Sequence, residues 1–337
     1  MILAMRTFVY MPSLERISGG MAVIAQVAKS LQACGFDVAL AVEGSLPAAL
    51  AVGHLPIINI NELPLSPEDR WIVPEGWPRA LRPALAAGAQ AALYVQSWAF
   101  LHGLLPEGAD WRSLGARMIA VSEPVGQFVA ATTGLQAPII RPAIDPGLFH
   151  PGAAPKAGKA PAIAWMPRKN KHLAKQIRAI FSARLALRGL PQPRWIEIDG
   201  LPPAKVAGLM RMAGIFLATG FPEGFGLPPL EAMACGCLVA GFAGMGAWDY
   251  MRQAIPSGWT PPISLPALPH GPNAFIAADG DVWGAAMALE AAYDALLTGE
   301  ADKIRETAIA TAQAYSPARQ QAEALAVWND EAFWHPL

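Results

Sequence analysis

Apolar residues fall into two patterns along this chain, short continuous runs and steps of three to four, and the two alternate almost throughout. Residues 6–10 read as a first strand. After Ser18-Gly19-Gly20, residues 21–33 carry Val23, Ile24, Val27 and Leu31 at helical spacing. Gly35 stops that helix, and 36–42 follows as a buried strand. Further strands are predicted over 71–73, 91–96, 118–121 and 138–141. Residues 150–161 are rich in Pro, Gly, Ala and Lys and have no period, which marks a linker. A second series then begins: strand 162–166, helix 173–187, strand 195–198, helix 204–212, strand 215–218, helix 228–234 and strand 237–241. Helices dominate from Asp281 and end with 317–333. Strand–helix alternation of this kind predicts an α/β chain built on parallel sheets with helices on both faces. The expected organisation is two doubly wound, Rossmann-like domains, 1–150 and 151–316, facing across a cleft lined by the C-terminal edges of both sheets. The segment 317–337 is expected to pack back on the first domain.

Composition narrows the classes. A chain of 337 residues has room for two domains, and 53% apolar with 15% charged residues excludes a disordered, solvated polymer. The formal net charge of −1 gives no general attraction to nucleic acid or anionic lipid, so nucleic acid is not an expected partner. Peripheral membrane contact stays open through a lipid-linked substrate. The 3 cysteines, Cys34, Cys235 and Cys237, make no disulfide framework and fit reduced thiols in the cytoplasm. Residues 83–106 are uncharged and long enough to span a bilayer. They are interrupted by Gly88, Gln90, Gln96, Ser97, His102 and Gly103, and read better as helix, turn and buried strand. No basic region followed by an apolar run and a cleavage site opens the chain, so no signal peptide is expected.

The most informative stretch is Phe221-Pro222-Glu223-Gly224-Phe225-Gly226-Leu227-Pro228-Pro229-Leu230-Glu231-Ala232-Met233-Ala234-Cys235-Gly236. Gly224 and Gly226 allow a ligand close approach and a sharp turn into a helix. Pro228 and Pro229 suit a first helical turn, where missing N–H donors do no harm. The remaining free N–H groups and the helix dipole form an anion site. Phosphate would repel a carboxylate, so Glu231 is better matched to neutral hydroxyls such as a ribose, and Glu223 to a sugar hydroxyl or developing positive charge. Glu231 also sits where the macrodipole alone favours an acid.

Glu223 and Glu231, seven residues apart in this setting, resemble the Glu-x7-Glu signature of glycosyltransferase family 4, retaining enzymes of the GT-B fold. Gly19-Gly20 before a helix is similar to that family's N-terminal glycine loop. Ala120-Val121-Ser122-Glu123 resembles its "vSe" segment, and 139–149, Ile-Ile-Arg-Pro-Ala-Ile-Asp-Pro-Gly-Leu-Phe, its interdomain stretch. The resemblance implies a nucleoside diphosphate sugar as co-substrate, a sugar, glycan or glycolipid acceptor, and no metal or other cofactor. It places Glu223 on the donor sugar and Glu231 on the donor ribose. Gly19 and Gly20 fall on the diphosphate, and Gly224, Phe225, Gly226 and Leu227 complete the donor loop.

Arg168-Lys169-Asn170-Lys171-His172 follows a predicted strand, where cations can neutralise a departing diphosphate. The family spaces an Arg and a Lys five apart here, but five beyond Arg168 is Leu173. Lys171 is read as the second catalytic cation, with Lys169 and Lys175 as alternatives. Gln96, Trp98 and His102 are the acceptor-side candidates, Gln96-Ser97-Trp98 standing where family members carry a histidine. Asp279-Gly280-Asp281 has metal-motif spacing, yet Asp281 precedes a helix and reads as its N-cap. Two other functions share the fold: a sugar-nucleotide 2-epimerase and a non-catalytic sugar-nucleotide-binding protein.

Overall fold

A computed structural model describes residues 5–13, 18–48, 50–103, 105, 110–152, 160–255, 264–269 and 271–334. The chain divides into two compact units, one formed by Met1–Ala143 with Pro317–Leu337 and the other by Ile144–Ser316. Of the stretch read as a linker, residues 153–159 lie outside the described residues.

The first unit contains β1 (Arg6–Met11), α1 (Gly19–Ala33), β2 (Asp37–Val42), β3 (Ile57–Asn59), β4 (Arg70–Pro74), α2 (Arg82–Ala87), β5 (Gln90–Val95), β6 (Arg117–Ala120) and α3 (Glu123–Thr133). Its six strands run parallel in the order β3-β2-β1-β4-β5-β6. The chain leaves β1 toward β2 on one side and resumes at β4 on the other. Ligands of open α/β sheets bind outside the strand C-termini at such a reversal. All five residues of β4 are buried, as expected for a strand covered on both faces.

The second unit contains β7 (Ile163–Trp165), α4 (Lys171–Leu187), β8 (Trp195–Glu197), α5 (Pro203–Arg211), β9 (Ile215–Ala218), α6 (Leu227–Ala234), β10 (Leu238–Phe242), β11 (Ala274–Ala277), α7 (Val282–Thr298) and α8 (Ala301–Gln313). Its five parallel strands are ordered β11-β10-β9-β7-β8, so the reversal lies between β7 and β9. Ile177, Phe181 and Leu185 of α4 and Ala285, Leu289 and Ala292 of α7 pack on one core with Ile163, Leu217 and Phe242. The two units are Rossmann-like parallel-sheet folds, as the strand–helix alternation predicted.

The last helices, α9 (Pro317–Asn329) and α10 (Glu331–Trp334), belong to the first unit. Gln320, 1% exposed, is the central tie. It accepts from Ser30 Oγ at 2.7 Å and donates to Gln26 Oε1 at 2.9 Å and to the Arg141 carbonyl at 2.8 Å. Trp328 Nε1 donates to Thr7 Oγ1 at 3.0 Å, and Arg70 donates to the Trp328 carbonyl at 2.6 Å.

One local expectation changes. Residues 138–141 make only an isolated bridge, Ile139 to Ala120, because Pro138 and Pro142 remove the N–H groups that a ladder needs. The uncharged stretch starting at Pro83 divides into α2, β5 and a 3-10 turn over Trp98–Gly103. Among the described residues no helix is long and apolar enough to cross a membrane.

Candidate active site

In the second unit two loops meet at the reversal, 166–170 after β7 and 219–226 after β9. Asn170 is held at φ 56°, a left-handed conformation that Asn tolerates better than most residues. That turn sends its side-chain amide to the carbonyls of Thr219, at 2.8 Å, and Phe221, at 3.0 Å. Lys169 Nζ donates to the Pro222 carbonyl at 3.1 Å and lies 2.9 Å from Glu223 Oε1. The cation and the first acid of the paired signature are therefore an ion pair fixed to backbone on both sides.

The loop is also clamped from β10. Glu223 N donates to the Gly244 carbonyl at 2.9 Å, and Gly246 N to the Glu223 carbonyl at 3.0 Å. A Cβ at Gly246 would come within 2.0 Å of the Gly224 carbonyl carbon, so this approach needs glycine. Asp279 accepts from Gly244 N at 2.9 Å, and Asp281 caps α7 through Gly284 N at 2.9 Å. Both acids of the Asp-Gly-Asp triplet are thus committed to the backbone.

Gly226, at φ 81°, caps α6, with Pro228 and Pro229 in its first turn. The Tyr250 hydroxyl donates to the Gly226 carbonyl, and Phe225 packs against Tyr250 and Tyr315 with ring centroids 5.4 and 5.7 Å away. The α6 N-terminus is therefore a turn held from Tyr250, directly after the loop that carries Glu223. Glu231 lies one turn inside α6, and burial pushes its carboxyl up to about 7. Among the described residues its side chain has no hydrogen-bond partner, which leaves it free for a ligand's hydroxyls.

Two other cations of this cluster are exposed. Lys171 Nζ is 3.5 Å from Glu197 Oε1, and Arg168 is exposed and makes no ion pair or hydrogen bond among the described residues.

In the first unit, Ser18 caps α1 by accepting from Met21 N at 3.1 Å, so Gly19 and Gly20 form its first turn. Space around Gly19 is open, whereas a Cβ on Gly20 would lie 3.2 Å from Gln96 Oε1. Trp98 and His102 both pack on Phe128, each with ring centroids 5.9 Å apart. Ser122 of the "vSe" segment caps α3 through Val125 N at 3.4 Å. Sequence reasoning missed Glu75, directly after β4. It is 6% exposed and accepts from Gln96 N at 3.1 Å. The readable signal was a lone acid closing an apolar strand. It also missed Tyr250 and Asn170, whose roles depend on residues far away in the chain.

No family model matches the chain. It is 26% identical over 240 residues to an "Alpha-1,6-glucosyltransferase" of Actinobacillus pleuropneumoniae, covering 67% of this chain and 69% of that protein. Among solved structures it resembles a glycosyltransferase from Rickettsia africae ESF-5, with a TM-score of 0.70 at 15% identity over 97% of this chain and 98% of that one. It also resembles sucrose-phosphate synthase from Thermosynechococcus elongatus, with a TM-score of 0.66 at 14% identity over 97% and 99% of the two chains. The epimerase and non-catalytic readings are not favoured by these likenesses. The fold is that of GT-B glycosyltransferases, and glycosyl transfer is the chemistry that the relative supports.

Proposed function

We propose that the protein is a retaining glycosyltransferase resembling family 4, moving a sugar from a nucleoside diphosphate sugar to an acceptor hydroxyl. The observation that carries this reading is the Lys169–Glu223 pair, set on a glycine turn at the N-terminus of α6 where the sheet order reverses. In this reading the α6 N-terminus and Gly224–Gly226 loop receive the diphosphate, Glu231 the ribose hydroxyls and Glu223 the donor sugar. By the same resemblance Gly19 and Gly20 contact the diphosphate, and the acceptor is taken near Gln96, Trp98 and His102.

Arg168 and Lys171 lie on the loop and first turn after β7, and ligand binding recruits them to the leaving diphosphate. The bond from the sugar C1 to the phosphate oxygen breaks with its electron pair going to that oxygen. The acceptor oxygen bonds to C1 on the same face, and its proton passes to the departing phosphate. Side-chain cations and helix N–H groups aimed at the developing charge lower that barrier, and no metal is required. The relative's name makes glucose the first sugar to test and a sugar O6 the first acceptor position.

The test offers UDP-, ADP-, GDP- and TDP-glucose with p-nitrophenyl glucosides, and NMR of the product reads the new anomeric centre. An α-linked product from an α-donor, formed equally well in EDTA, is expected. A β-linked product, or dependence on added metal, overturns the mechanism. Absence of transfer with every sugar nucleotide overturns the function.

A further inference from the structure

Glu75 is a buried carboxylate with no cation beside it among the described residues. Such a group is expensive to keep unless the backbone satisfies it, and here the backbone does. It follows Pro74 at the end of β4, and its own N–H donates to the Tyr94 carbonyl at 3.3 Å, so its main chain is tied to β5. Its side chain reaches past the end of the same strand and accepts from Gln96 N at 3.1 Å. N–H groups at Gln96, Ser97 and Glu75 itself favour its ionised form, while burial opposes it and pushes the carboxyl up to about 7. Tyr94, a titratable neighbour on β5, is raised well above its ordinary range by its own burial and stays neutral.

The backbone held in this way carries Gln96, whose side-chain oxygen lies against Gly20 in the first turn of α1. Glu75 thus links the ends of β4 and β5 with the start of the helix that follows β1. Those are the elements around the reversal of the first sheet. A residue needed only to end a strand could be Asn or Ser, without a charge to desolvate.

We propose that Glu75 is the positioning residue of the acceptor side: its carboxylate fixes the Gln96–Ser97 backbone, and through it the Gln96 amide that meets the acceptor hydroxyl beside Gly20. This role rests on the glycosyl-transfer reading. Glu75 does not touch the acceptor and moves no proton of the reaction.

The test compares Glu75→Ala, Glu75→Gln, Gln96→Ala and Glu75→Ala/Gln96→Ala with the native enzyme. It uses p-nitrophenyl β-glucoside and the nucleotide glucose that the native enzyme accepts, with 15N amide spectra as a readout independent of turnover. Glu75→Ala and Gln96→Ala should each raise the acceptor KM by ~10-fold or more while the donor KM stays within ~2-fold, and the double variant should be no worse than either single one. Glu75→Gln, which keeps an acceptor oxygen for Gln96 N, should restore the acceptor KM to within ~3-fold of native. The Gln96 amide signal should move in Glu75→Ala, and the moved signals should cluster at 94–98 and 18–22. Additive effects, an equal rise in donor KM, no rescue by Gln, or an unmoved Gln96 amide each overturn the role. If the native protein transfers nothing to any acceptor, the functional reading fails first and the role falls with it. Native turnover with an unchanged acceptor KM in Glu75→Ala defeats the role alone.

Discussion

Lys169 Nζ and Glu223 Oε1 lie 2.9 Å apart, and the same ammonium reaches the Pro222 carbonyl at 3.1 Å. The pair spans the two loops that close the sheet reversal of the second unit. Both side chains are partly exposed, at 39% and 25%, so their attraction adds little to stability, ~1 kcal/mol or less. Its consequence is where it holds Glu223. Lys169→Met should therefore leave the melting temperature almost unchanged while lowering kcat/KM by ~100-fold, and Glu223→Gln should do the same. Lys171→Ala, which releases only an exposed 3.5 Å contact to Glu197, should lower kcat and leave the fold untouched if it joins the leaving group. Melting curves beside steady-state kinetics for the three variants check the ranking.

The strand–helix alternation was readable because it depends on local periodicity. Residues 215–218 are strand as predicted, and 6–10, 118–121 and 237–241 are shifted or lengthened by one residue at most. β3 escaped because Ile57, Ile58 and Asn59 are too few and too exposed to show an alternating pattern. The turn into α6 was legible because Gly226, Pro228 and Pro229 each carry a conformational requirement visible in one dimension. The contact of Lys169 with Glu223 was not legible, because it depends on the left-handed turn at Asn170 and its bonds to carbonyls some 50 positions away. Glu75 has meaning only once β4 and β5 are known to be adjacent, and strand order is not written in periodicity.

Glu231 should make stability depend on pH. Its folded-state carboxyl is raised to about 7 by burial, against 4.5 when unfolded. Between those values the folded form holds a proton that the unfolded form has lost, so stability falls as pH rises from 4.5 to 7 and levels off above. Glu75 contributes in the same window and the same direction. Denaturant titrations of native protein and Glu231→Gln at pH 5 and pH 8 isolate the Glu231 share. Glu231→Gln should be the more stable of the two at pH 8, by an amount that disappears near pH 5. An unchanged slope in the variant would show that Glu231 is not the group responsible. The variant should bind nucleotide more weakly, because Gln replaces a strong acceptor for ribose hydroxyls.

Gly226 should tolerate no side chain. At φ 81° an alanine costs about 1–2 kcal/mol. Its Cβ would also lie 3.3 Å from the Tyr250 hydroxyl and 3.4 Å from Ala247 Cβ. Gly226→Ala is expected to lose stability by that order and to weaken nucleotide binding by ~10-fold or more, since the α6 N-terminus moves. Tyr250→Phe removes the hydroxyl that holds the Gly226 carbonyl while keeping the ring packed on Phe225. It should cost ~1 kcal/mol and show a smaller binding defect in the same direction. Calorimetric titration with UDP and ADP measures both.

The final helices should be part of the folding unit that begins the chain. Gln320 bonds Ser30, Gln26 and the Arg141 carbonyl together, and Arg141 pairs with Glu323 at 2.7 Å. Removing one member of a buried polar network leaves its partners desolvated and unpaired, so Gln320→Ala should cost ~2–3 kcal/mol. Gln320→Met fills the volume and isolates the lost hydrogen bonds from the lost packing. Amide exchange should localise the effect. Protection in α1 and at 139–143 should drop in both variants, because Ser30, Gln26 and Arg141 lie there, while protection in β7 and β9 should hold. If α1 keeps its native exchange rates in Gln320→Ala, the C-terminal segment is only an appendage of the first unit and not a strut within it.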